Sequence, residues 1–125
     1  MNQEKYDALL DGLIRFSADG DDIQFWIVFD DVAKMLGIDY TKGVTVAQGQ
    51  ELWDTITRIV GMMLQNGFIA FDYIGKTNKR IAWPEQDPKQ VMTEIRNRWI
   101  EHKGKFPDVN FIVWFHNNKV KPLNQ

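Results

Sequence analysis

Between residues 48 and 83 the hydrophobic positions change rhythm. Leu52, Trp53, Ile56, Ile59, Val60 and Met63 recur at steps of three and four, the spacing that stacks side chains on one face of an α-helix. One buried stripe is expected. Asn66 and Gly67 follow the last periodic residue, and glycine readily takes the left-handed conformation that closes a helix, so Gly67 is the expected stop. Phe68–Ile74 is rich in aromatic and β-branched side chains, 79–83 is a second short run, and Gly75, Lys76, Thr77 and Asn78 between them are turn-like. Helix, stop and hairpin together make the end of a winged-helix motif.

The same reading extends to both sides. Tyr6, Leu9, Leu10, Leu13 and Ile14 predict an amphipathic helix over Gln3–Phe16, ended by the small and acidic turn residues 17–22. The apolar run 23–29 fits either a short buried strand or a helix start; strand is favoured, followed by a helix over 30–36 capped by Asp30 or Asp31 and stopped by Gly37. Residues 29–38 resemble the first helix of a helix-turn-helix, although the connection 38–47 is longer than that motif's turn. Asp87, Pro88 and Gln90 carry helix-start chemistry. The helix they open has Val91, Met92, Ile95, Trp99 and Ile100 on its apolar face and a stop at Gly104. After a loop at Phe106, Pro107 and Asp108, the run 111–115, bounded by Asn117 and Asn118, reads as a strand buried on both faces. Residues 119–125 are expected to be loosely held. The predicted fold is α+β: a winged-helix-like helical core with a β-hairpin, extended by a fourth helix and a C-terminal strand in a small antiparallel sheet.

Composition narrows the chemistry. A chain of 125 residues fits one domain and is long enough to bury a substantial core. Without cysteine it has neither disulfides nor thiolate metal sites. No apolar run is long enough for a membrane span and the N-terminus lacks a signal-type core, so a soluble cytoplasmic protein is expected, with no membrane partner. The turn around Asp19, Asp21 and Asp22 lacks the spaced ligands of a calcium loop, and no glycine-rich phosphate loop or nucleophile elbow occurs. His102 and His116 would form an acid and base pair only if folding placed them in one cleft. No cofactor, metal or catalytic set is expected. The tryptophans are expected mainly in the core.

Two binding functions remain. In a DNA-binding regulator the long helix would enter the major groove and the hairpin would touch the backbone, with Arg58, Lys76, Lys79 and Arg80 as the contacts. Glu51 and Asp54 in the leading turns of that helix would repel phosphate, and the net charge of −2 supplies no global positive field. The segment from Phe25 and Trp26 to Leu36, the helix ending at Asn66, Gly67 and Phe68, and the stretch from Trp99 through Pro107 and Asp108 to Ile112, Val113, Trp114 and Phe115 together resemble an uncharacterised family of small bacterial proteins. Some members of such families are encoded beside polymorphic or contact-dependent toxins and act as immunity proteins. The resemblance implies a non-enzymatic, cytoplasmic inhibitor that binds a cognate toxin domain. If that toxin has a basic active site, Asp19, Asp21, Asp22, Asp30, Asp31, Glu51 and Asp54 are the candidate contacts.

Overall fold

The computed structural model describes residues 3–74, 79–102 and 113–124. Helix α1, Gln3–Phe16, buries Tyr6, Leu10 and Leu13 and has the predicted bounds. Strand β1, Ile23–Gln24, is only two residues long, and helix α2 starts at once as Phe25–Leu36. The expected strand over 23–29 is therefore mostly helix. Phe25, Val28, Phe29, Val32 and Ala33 are buried at three- and four-residue steps, a helical period that the continuous apolar run conceals. Asp30 and Asp31 lie inside α2 and do not cap it. Gln24 occupies the N-cap with no side-chain bond, and the Phe25 N–H instead donates to the Val113 carbonyl at 2.9 Å. A distant backbone carbonyl just before the last strand, not a local side-chain cap, receives the first N–H of this helix.

Gly37, at φ +71°, closes α2 as expected. A short 3-10 turn, Tyr40–Lys42, occupies part of the long connection and sets the Tyr40 ring edge-on to Phe29 at 5.1 Å. Helix α3, Val46–Gln65, then starts two residues before the expected stretch, because Thr45 and Gln48 form a reciprocal capping box. Its predicted stripe is buried throughout. Trp53 is the centre of the helical layer: its ring lies 6.1 Å from Phe25, 5.8 Å from Phe29 and 5.2 Å from Trp99. It joins α2, α3 and α4. Asn66 caps α3 and Gly67, at φ +95°, turns the chain into β2.

Strands β2, Phe68–Ile74, and β3, Lys79–Ala82, form the antiparallel hairpin, and helix α4, Pro88–Glu101, follows with the Asp87 side chain accepting from the Gln90 N–H. Ile100, expected on the apolar face of α4, is 66% exposed, since the buried stripe of that helix runs through Val91, Met92 and Ile95. Strand β4, Trp114–Asn117, ends two residues beyond the predicted run 111–115 because Asn117 still pairs with Phe68. The expected turn 75–78 with Lys76, the stop at Gly104, the loop at 106–108 and Phe111 and Ile112 lie outside the described residues.

The fold is α+β: the described residues form four helices and a four-stranded antiparallel sheet in the order β1-β4-β2-β3. Helices α1, α2 and α3 precede the hairpin, and β4 enters the sheet between β1 and β2. Pairing partners share a face of the sheet, and faces alternate along each strand. Ile23, Phe68, Ala70 and Phe115 therefore face the helices and join the main core. Phe71, Tyr73, Arg80, Trp114 and His116 share the opposite face. Phe71 is nonetheless fully buried there, within 6.4 Å of the Tyr73, Trp114 and His116 rings. No helix among the described residues is long and apolar enough to cross a membrane.

Candidate functional site

The second face of the sheet brings together residues that had been assigned to competing roles. Asp22, a candidate partner contact, is 8% exposed at its side chain and pairs with Arg80, a candidate phosphate contact, at 2.9 Å. His116 joins them. Its Nδ1 lies 2.7 Å from Asp22 Oδ1 and its Nε2 lies 2.8 Å from the Lys121 carbonyl oxygen. Arg80 Nη1 lies 3.3 Å from the same Nδ1, so both ring nitrogens are engaged within the fold. The Tyr73 hydroxyl donates to Asp22 at 3.1 Å; burial, then the charge of Asp22, pushes that hydroxyl above its usual range.

This arrangement contains an Asp–His pair but leaves the imidazole poorly placed for proton transfer. A general base must offer a lone pair to a substrate or water, whereas His116 is 1% exposed and its far nitrogen is already engaged by a carbonyl. The constellation fastens structure. It ties the turn after α1 to the hairpin, β4 and the segment beyond β4. In that last segment, expected to be loosely held, the Asn124 side chain accepts from the Arg80 N–H at 3.1 Å and donates to the Arg80 carbonyl at 2.7 Å. Asn124 thereby covers backbone groups at the free edge of β3. His102 sits apart, at the C-terminal cap of α4.

The remaining acidic candidates lie in the turn after α1 and on α2 and α3. Asp19 and Asp21 are exposed in the turn after α1. Asp30 pairs with Lys34 at 2.9 Å and accepts from the Tyr40 hydroxyl at 3.1 Å. Burial, then the neighbouring Asp30 charge, raises the Asp31 carboxyl, and Lys34 offsets only part of this. Glu51 and Asp54 are exposed in the leading turns of α3, Glu51 beside a shallow cleft with Lys5, Met35 and Leu36. Of the basic candidates, Lys79 is exposed, Lys76 lies outside the described residues, and the Arg58 guanidinium lies 4.1 Å above the Tyr6 ring and donates to Gln3.

An acidic groove that the sequence reading did not single out runs between the hairpin and α4. Asp72 forms a two-pronged pair with Arg98, at 2.8 and 3.1 Å, while Glu94 accepts from the same guanidinium at 3.0 Å. Arg98 also lies 4.4 Å above the Trp83 ring. Burial alone would raise the Asp72 carboxyl, but the Arg98 hydrogen bonds, the adjacent Trp83 indole N–H and the guanidinium charge together hold it below the usual range. The indole nitrogen is buried and faces this carboxylate without completing a full hydrogen bond. One sequence signal was available: Phe68, Ala70 and Asp72 share one strand parity, so a carboxylate on the core side of β2 calls for a cation from the element packed above it. Among the described residues no group of three or more His, Asp or Glu side chains converges as metal ligands would. Compared with known proteins, the chain matches no family model, no curated protein and no solved structure.

Proposed function

We propose that the chain is a non-enzymatic protein-binding module, an immunity protein that binds and neutralises a cognate toxin domain presenting a basic surface. One observation carries the reading: each of the five arginines is engaged by a carboxylate, an aromatic ring or an amide of the same chain, while several carboxylates stand exposed with no arginine beside them among the described residues. Arg15 pairs with Asp11, Arg58 lies over Tyr6, Arg80 is held by Asp22, Arg96 stacks on Trp53 and Arg98 is gripped by Asp72 and Glu94. Asp19, Asp21, Glu51 and Asp54 are exposed. Such exposed carboxylates steer a cationic protein towards them and repel phosphate. A DNA-binding regulator would need Arg80 released from Asp22 and Arg58 released from Tyr6 and Gln3.

The test is capture by the tagged protein from its own cell extract, with nuclease treatment in parallel and mass spectrometry of what is retained. The expected result is one protein partner that survives nuclease, is released by salt, and is retained at least tenfold less by a Glu51→Lys, Asp54→Lys variant. Retention of DNA, lost on nuclease treatment, would overturn the proposal in favour of the regulator.

A further inference from the structure

The helix-facing side of the hairpin changes character along its length. Successive cross-strand rows are Ala70 beside Trp83, Asp72 opposite Ile81, and Ile74 opposite Lys79. The first row is core. At the second row Arg98 of α4 reaches over to Asp72, while Ile81 in that row and Ile74 in the next are 43% and 45% exposed. Two large aliphatic side chains on one face of a hairpin thus continue directly into the groove, whose volume is about 500 Å³ and whose lining includes Asp72, Trp83, Pro84, Glu85, Glu94 and Arg98.

The charge of this groove is unbalanced. Among the described residues its lining carboxylates are Asp72, Glu85 and Glu94, and the one lining cation, Arg98, is already bonded to both Asp72 and Glu94. Arg98 also shows what the walls accept, namely a flat guanidinium lying on an indole with carboxylates at its edge. Glu85, exposed on the 83–87 turn, and the outer part of Glu94 extend that negative rim towards solvent. We infer that the groove docks a segment of the partner protein, taking one arginine or lysine side chain between Glu85 and Glu94 while an apolar neighbour of that side chain rests on Ile74 and Ile81. This rests on the protein-binding reading above and gives it a site. The complementarity is both electrostatic and apolar, because Ile81 stands directly across the strand pair from Asp72.

Amide and indole NMR of the full chain, titrated with acetyl-leucyl-arginyl-leucinamide, tests the site. The lysyl twin carries the same charge, and the citrullyl twin keeps the shape without it. The Trp83 indole signal, assigned with a Trp83→Phe variant, and the Glu85 and Glu94 amides are expected to shift saturably with the arginyl and lysyl peptides. The citrullyl peptide should bind at least tenfold more weakly. Glu85→Gln with Glu94→Gln, both at exposed positions and both keeping side-chain volume, should cost the arginyl peptide a similar factor. Equal binding of the citrullyl peptide, unchanged binding to the double variant, or shifts confined to the Glu51 and Asp54 region would overturn the inference. Tighter binding of spermidine than of either cationic peptide would also overturn it, by assigning the groove to a small polycation. In the extract experiment, a partner retained equally by wild type and the Glu85→Gln, Glu94→Gln variant removes the groove and leaves the protein-binding reading intact. Peptide binding at the groove with no protein partner retained does the opposite.

Discussion

Asp22 is the residue on which the second face of the sheet depends, because it balances two cationic or hydrogen-donating neighbours where little water reaches. Arg80 is 14% exposed and His116 1% exposed at their side chains. Removing one partner of a buried pair costs more than the pair contributes, since the survivor keeps its desolvation penalty. Asp22→Ala is therefore expected to lose about 3 kcal/mol in urea unfolding; a loss under about 1 kcal/mol would mean a solvated pair. Asp31 has the opposite sign. Its carboxyl is raised in the folded state, first by burial and then by Asp30, from an ordinary value of 3.8. The unfolded chain ionises first as pH rises, so ionisation penalises the fold above the raised value, and the penalty disappears below 3.8. Asp31→Asn should raise the melting temperature at neutral pH and leave it unchanged near pH 3, where both forms are neutral; no gain at neutral pH would show that the site is well solvated.

At the level of elements, the legible boundaries are those written in local chemistry. Gly67 was readable as the end of α3 because only a residue tolerant of φ +95° makes that turn, and Asp87 with Pro88 was readable as the start of α4. Gly67→Ala combines left-handed strain with a Cβ that would lie 2.6 Å from Lys119 Cγ. The lysine stem can swing aside, so the backbone term of about 1 to 2 kcal/mol should dominate the measured loss. Thr45→Ala, which breaks the capping box, should cost about 1 kcal/mol by the same denaturant assay. The start of α2 was not legible, because Gln24 offers no side-chain cap and the first turn is anchored by Val113, almost ninety positions away. Non-local pairing also hid the candidate sites. Asp22 and Arg80 were assigned to different partners because nothing between them in sequence indicates that β4 and the hairpin bring them together. Asp72 and Arg98 were missed for the same reason, though the strand parity of Asp72 was a signal.

For the whole molecule, the pair between Asp72 and Arg98 couples the hairpin to α4, and its acid dependence follows from the direction of the Asp72 shift. The folded carboxyl lies below 3.8, so above 3.8 both folded and unfolded chains are ionised and the full contribution is present. As pH falls below 3.8 the unfolded chain takes up the proton first, and the contribution is lost as pH passes through the lower folded value. The Asp72 side chain is 39% exposed, which keeps the size near that of a surface pair, about 0.5 to 1 kcal/mol. Asp72→Asn should remove this amount at pH 7 and flatten the stability curve below pH 3.8. Its effect on the groove goes beyond stability. Without the carboxylate, the groove keeps the Arg98 charge and loses one negative charge, so its field on a partner weakens. A cationic partner should then associate more slowly at low salt, with the difference from wild type shrinking as ionic strength rises and screening shortens the reach of the field. A DNA ligand would show the reverse, because losing a carboxylate relieves repulsion of phosphate. Association rates of the captured partner measured from 20 to 300 mM salt, a span over which the screening length falls from about 20 Å to under 10 Å, decide between the two by sign alone.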